Sequence, residues 1–350
     1  MVYDPVIDKS GLRASRHSIP AQGVASLTWC GDRLVDWVGG GLAYHLDGRR
    51  EDPRSAWFFP FDAACATPDG RYAVVYQRHG TKALLLRDGN LLRELNRSFY
   101  HAHVYDYPVH IWRAPDGRTL LAHCPEDYRR IEIDDADTGT RLTAGERTPK
   151  DFFHSRLMVN ETGTRLLSAG WVWHPWDAVS FYDIAEALRD PAHLDSLVNS
   201  APHSRNVSLA EESSACWQTS ERVLLGGSAE EEDPNDDPEI TEPRLHTRGI
   251  AVYDVVAKTY VRSAILTEPP GTMMPIGESH AVCFYKWPRL VSLADGQVVM
   301  GWEDLACGDQ VSSISRRDRF PALAIDVEHR RFAVADADQI TVVQIDATSV

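Results

Sequence analysis

The feature that most restricts what this chain can fold into is a hairpin turn that keeps returning. Thr67-Pro68-Asp69-Gly70-Arg71, Ala114-Pro115-Asp116-Gly117-Arg118 and Asn160-Glu161-Thr162-Gly163-Thr164 each separate two short apolar runs. Proline presets φ and glycine accepts the positive φ that a tight turn needs, so each reads as a connection between antiparallel strands. Each is followed by a β-type run, as in Tyr72-Ala73-Val74-Val75-Tyr76 and Thr119-Leu120-Leu121-Ala122-His123. A second kind of turn follows the third run of the unit: Arg87-Asp88-Gly89-Asn90, Asp137-Thr138-Gly139-Thr140, Ala294-Asp295-Gly296-Gln297. A fourth, more polar run comes after it. Four antiparallel runs joined by hairpins make one propeller blade.

Central runs near 34–38, 72–76, 119–123, 165–171, 222–227, 280–285 and 331–335 give seven units. Their spacing of about 40 to 55 residues is that of propeller blades. The chain is therefore expected to be all-β, a seven-bladed β-propeller of four-stranded antiparallel blades and a single domain over 1–350. A β-sandwich followed by a second all-β domain is the alternative, and the absence of any linker-like shift in composition disfavours it. One short helix is expected near Ile184 to Leu188. Only three runs are evident in the last blade; residues 1–20, weak in strand character, are the candidate for its fourth. Residues 229–248 read as an acidic loop insertion.

The Pro-Asp-Gly-Arg turns, together with the Tyr-Asp strand endings Phe181-Tyr182-Asp183 and Val252-Tyr253-Asp254, resemble the bacterial WD40-like, or YVTN-like, seven-bladed propeller superfamily. The likeness covers almost the whole chain and implies the fold while saying little about function. The repeated Gly-His and Trp-Asp signatures of eukaryotic WD40 repeats are missing; the single pair Trp176-Asp177 falls in a loop.

The formal charge of −15 argues against nucleic acid or an anionic membrane as the main partner and favours a basic or neutral one. No apolar run approaches the ~18–20 residues of a membrane span. The segment Met1-Val2-Tyr3-Asp4-Pro5 has no apolar signal core, so a cytoplasmic location is expected. The six cysteines lack CxxC spacing and read as buried free thiols. No Gly-x-Ser-x-Gly elbow or Walker A sequence is present, Gly39-Gly40-Gly41 lacks the helix a phosphate cradle needs, and no cofactor is implied.

Alternation in a four-stranded blade puts the loops between second and third strands, and the links between blades, on one face; the tight turns take the other. Aromatic, His and Arg residues gather in the first set. Trp171, Trp173, His174 and Trp176 form the densest group, joined by Tyr105, Trp287 and Arg289 as candidate binding residues. Trp, Tyr and Arg are the types enriched at binding hot spots; packing of Trp171 and Trp173 between blades is the plainer reading. His101 and His103, one residue apart and so on one side of an expected strand, could ligate a metal with His154, His203 and His280. The plainer reading there is ordinary hydrogen bonding. The leading functional expectation is a non-catalytic module that binds a protein or peptide through this face. The alternative is a lyase, hydrolase or cyclase with its histidines at the mouth of the central channel. A sugar- or metabolite-binding propeller ranks third.

Overall fold

The computed structural model describes residues 11–53, 55–173, 176–196, 210–229, 242–314 and 320–347, with the backbone pairing of Val6–Ile7. It is a seven-bladed β-propeller. Seven antiparallel sheets of three to five strands follow one another, and each is built from consecutive segments apart from the last. Their second strands, Arg33–Asp36, Tyr72–Tyr76, Thr119–His123, Arg165–Val172, Arg222–Gly227, His280–Cys283 and Arg331–Ala335, fall on the seven expected centres. The tight turns form as their residues dictate: Gly70, Gly117 and Gly163 have φ of 68°, 86° and 70°, and Asp88-Gly89 takes two successive positive values, 50° and 74°.

These second strands read as continuous apolar runs because both of their faces are buried. Alternate side chains point to opposite neighbours. In blade 5, Val223 and Leu225 pack toward blade 4, while Leu224 packs toward blade 6. In blade 2, Tyr72 and Val74 meet blade 3, and Ala73 and Val75 meet blade 1. Each of the seven interfaces between neighbouring blades thus has its own apolar core.

The ring closes through the N-terminal segment. Leu12–Pro20 pairs antiparallel along its full length with Gln339–Ala347 and completes the last blade outside Leu323–Asp326 and Arg331–Ala335. Blades 3 and 4 depart from the four-strand plan. In blade 3 an irregular segment around Arg141 and Leu142 stands beside Glu132–Asp135. In blade 4 the place of the outer strand is taken by the helix Ile184–Arg189, capped by the Asp183 carboxylate, and a following 3-10 turn. The cysteines are unpaired; five are buried and Cys65 is half-buried. No described helix is long and apolar enough to cross a membrane.

Removing residues 1–20 leaves the last blade one strand short and opens two interfaces at once. Its melting temperature is expected to fall by about 10 °C or more, whereas removal of 1–10 alone, which spares Leu12–Pro20, is expected to change it little. Differential scanning calorimetry of the two truncations checks this.

Candidate functional site on the wide-loop face

An eighth, small core lies apart from the seven inter-blade cores: Tyr105, Phe153 and Trp171, with Val104, Tyr128 and Ile314 against them. It belongs to the face of the long links. The second and third strands of blade 4, Arg165–Val172 and Trp176–Asp183, have eight residues each, where the second strands elsewhere have four to six. The extra length lifts the tryptophans above the ring. Phe153, in the link between blades 3 and 4, bridges to Trp171 through both main-chain hydrogen bonds. Gly170 permits that approach, since a Cβ there would sit 2.0 Å from the Phe153 carbonyl oxygen.

The rings form a column running from the interior to solvent. Trp171 and Phe153 stack at 3.8 Å, Phe153 and Tyr128 at 4.0 Å, and Tyr128 and Tyr100 at 5.1 Å. Trp173 and His101 stand edge-on to the column and to each other, 5.2 Å apart. Trp171 is buried, whereas Tyr100, Trp173 and Trp176 are 41%, 43% and 41% exposed. The large aromatics exposed among the described residues, Phe58, Phe59, Phe99, Tyr100, Trp173 and Trp176, all lie on this face, while the exposed aliphatics sit on outer strands and tight turns.

Arg97 sets the shape of the link that carries Tyr100 to Tyr107. It is buried and donates to the carbonyls of Gly80, Arg78, Ala102, Tyr105 and Asp106. Its guanidinium also lies over the rings of Tyr105 and Tyr107, 4.5 and 5.0 Å from their centroids.

The mouth of the channel on this face is crossed by the chain itself. The link between blades 6 and 7 is anchored where Cys307 and Gly308 exchange main-chain bonds with Lys286. It then reaches the opposite side of the ring. Gln310 Nε2 donates to Asp106 at 3.2 Å, Ser313 Oγ donates to Asp177 at 2.6 Å, and Ile314 bridges Tyr105. Under it lies a charged network. Burial opposes ionisation of Asp106, yet Arg78, His79 and Arg156 hold its carboxyl below the usual range; Arg78 is 3.1 Å and His79 3.4 Å away. Burial raises Asp177 against the pull of Arg156 and Ser313. Arg156 itself, at a left-handed φ of 42°, donates to the carbonyls of Ala169 and Ser213. Nearby, burial pushes the Glu212 carboxyl up to about 8; it accepts a hydrogen bond from the Val179 amide at 2.8 Å.

Several expected site residues stand elsewhere or in other roles. Tyr105 is fully buried under Ile314 and Arg97, so it supports the platform and offers no surface. Arg289 is buried and donates to the Pro269 carbonyl; it and half-buried Trp287 belong to blade 6, across the ring from the column. His101 and His103 occupy a turn rather than a strand, His101 at φ 51°, with ring centroids 6.1 Å apart. His154 is buried between Ser168 Oγ and the Arg129 carbonyl, and burial pushes it down to about 3. His280 follows the tight turn of blade 6 and so opens its strand at the opposite face, beside Ser279. The four described histidines do not converge; His203, like His174, lies outside the described residues, and no group of three metal-ligating side chains occurs among the described ones. Arg97, Asp106, Arg156 and Glu212 were not singled out from the sequence.

No family model and no curated protein matches the chain. The fold itself is widespread, with 949 chains of solved structures matching it. One of them, from Kuenenia stuttgartiensis hydrazine synthase, has a TM-score of 0.57 over 94% of this chain and 96% of that chain, at 13% identity. At such identity the likeness shows the fold alone.

Two substitutions probe this face. A carboxyl raised by folding stabilises most below its unfolded value near 4.5, and that contribution is lost as pH rises through about 8. Glu212→Gln is therefore expected to gain stability relative to the parent between pH 5 and 9, by up to a few kcal/mol, as read from denaturant midpoints at each pH. Arg97→Lys, which cannot reach five carbonyls with one ammonium, is expected to cost about 2–4 kcal/mol by the same measurement.

Proposed function

We propose that this chain is an interaction propeller, of the bacterial WD40-like kind and cytoplasmic, that binds a protein or peptide partner through its wide-loop face. The observation that carries the reading is the one-sided placement of the exposed aromatics, with Tyr100 and Trp173 backed by a stacked column that fixes their orientation. Rigid aromatic side chains give large contact area at low entropic cost, which is why they dominate binding hot spots. The formal charge of −15 favours a basic or neutral partner. An enzyme at the channel mouth has less support. The link at 307–314 crosses that mouth, the charged groups beneath it are bonded to one another, and the four described histidines of the expected set stand apart. The activity named for the hydrazine synthase neighbour does not carry over at 13% identity.

A photo-crosslinking residue placed at Trp173 is expected to capture the partner, whereas one at Asp116, in a tight turn of the opposite face, is not. Trp173→Ala combined with Trp176→Ala is expected to weaken partner binding at least about tenfold with an unchanged melting temperature. Equal capture from both positions, or undiminished affinity in the double variant, would remove this face from the interaction.

A further inference from the structure

One described cavity lies away from the aromatic platform. It is a half-open groove of about 660 Å³ between blades 1 and 2. Its origin is a short strand. The outer strand of blade 1, Arg50–Glu51, has two residues, where those of blades 2 and 5 have seven. The inner half of this interface is filled by an apolar core that includes Trp37, but the outer half has no strand to fill it. The walls are bare where they face the indole: a Cβ at Gly41 or Gly70 would come within 3.9 Å of the Trp37 ring. Trp57, in the link between the blades, also lines the groove and donates its Nε1 hydrogen to the Trp37 carbonyl at 2.7 Å, which holds its indole in place.

The charged lining selects the ligand. Two guanidiniums, Arg33 and Arg71, stand among four carboxylates, Glu51, Asp52, Asp69 and Asp88. Arg33 is 2.9 Å from Glu51, and Arg71 is 4.0 Å from Asp88. Arg50 and Arg113 reach Asp52 and Asp69 from beside the lining, at 4.0 and 3.8 Å, so the charges balance and an anion meets four carboxylates with no surplus of positive charge. A polycation would meet two arginines. An apolar molecule would strip water from six charged groups and return no hydrogen bonds. What remains is a neutral molecule with an apolar ring face and many hydroxyl groups. Such a molecule can lie against indole and bridge paired guanidinium and carboxylate forks. We propose that the groove between blades 1 and 2 binds a neutral saccharide two to three rings long, independently of any partner on the wide-loop face.

The test is direct binding to the full chain. Neutral trisaccharides built from glucose, xylose and N-acetylglucosamine are titrated by calorimetry, with spermidine and inorganic phosphate as charged controls. At least one trisaccharide is expected to bind saturably and the two ions are not. Trp57→Ala, Arg71→Met and Asp88→Asn are expected to weaken that binding at least about tenfold each. Asp88→Asn and Arg71→Met alter exposed side chains, and asparagine tolerates the positive φ at residue 88, so both are expected to melt as the parent does. Absence of saturable binding by every trisaccharide overturns the proposal. So does tighter binding of spermidine or phosphate, or a trisaccharide affinity unchanged in Asp88→Asn and Arg71→Met.

Discussion

Everything in this molecule depends on strands that are buried on both faces. A second strand such as Arg222–Gly227 gives alternate side chains to the blade before and the blade after, so no blade has a core of its own. Each interface is stable only if both neighbours are present, as in other repeat architectures. In a linear array the two terminal blades would each leave one apolar face in water. Closure removes both open faces, and Leu12–Pro20 achieves it by joining the blade formed by the opposite end of the chain. Six of that strand's nine residues are half-buried or exposed, and its apolar contribution is confined to Leu12, Ala14 and Ile19. Nine residues of main-chain pairing with Gln339–Ala347 do the rest.

Closing a ring creates a second problem at its axis. Seven inner strands begin around the channel, and the links that lead into them bring polar main-chain groups and charged side chains such as Arg97 and Asp106 into burial. Unpaired, each charge there would cost several kcal/mol. Here Arg97 satisfies five carbonyls, and Arg156 satisfies two more. The carboxylates of Asp106 and Asp177 take the hydrogen bonds of Gln310 and Ser313 from the crossing link. The charged network therefore serves as the seat for a segment of chain more than 130 residues distant from Asp177 in sequence. Glu212 solves the same problem differently, by keeping its proton.

What could be read from the sequence was what local chemistry determines. Glycine at positive φ fixed the turns, and two-sided burial fixed the middle strands, so the blade count and the short helix after Asp183 were legible. Leu12–Pro20 was faint because its side chains are half-exposed and its stability comes from pairing with residues more than 300 positions away. The burial of Tyr105 was illegible for the same reason, since Ile314 covers it from another part of the ring. Arg97 looks like any surface arginine until the link folds around it. His280 is a different case. It follows the turn Gly277 to Ser279, and the alternation of loops between faces already places that position opposite the aromatic links.

The one-sidedness of the aromatic surface follows from the lengths that the architecture demands. A tight turn joins adjacent strands, about 4.8 Å apart, and two to five residues suffice. A link must return from the outermost strand of one blade to the innermost of the next, a lateral distance of about three strand spacings, or ~14 Å. Roughly five extended residues would span that. The links at 52–62 and 97–108 have 11 and 12, and the link at 302–322 has 21. Apart from Arg97 and the stretch that crosses the axis, which serve the ring, the excess is free of that duty. In the first it holds Trp57, Phe58 and Phe59, in the second it holds Phe99, Tyr100 and the two histidines, and in the third it crosses the axis. Substitutions that alter recognition without disturbing the ring are therefore available in these segments, whereas a tight turn of four or five residues has its composition dictated by φ.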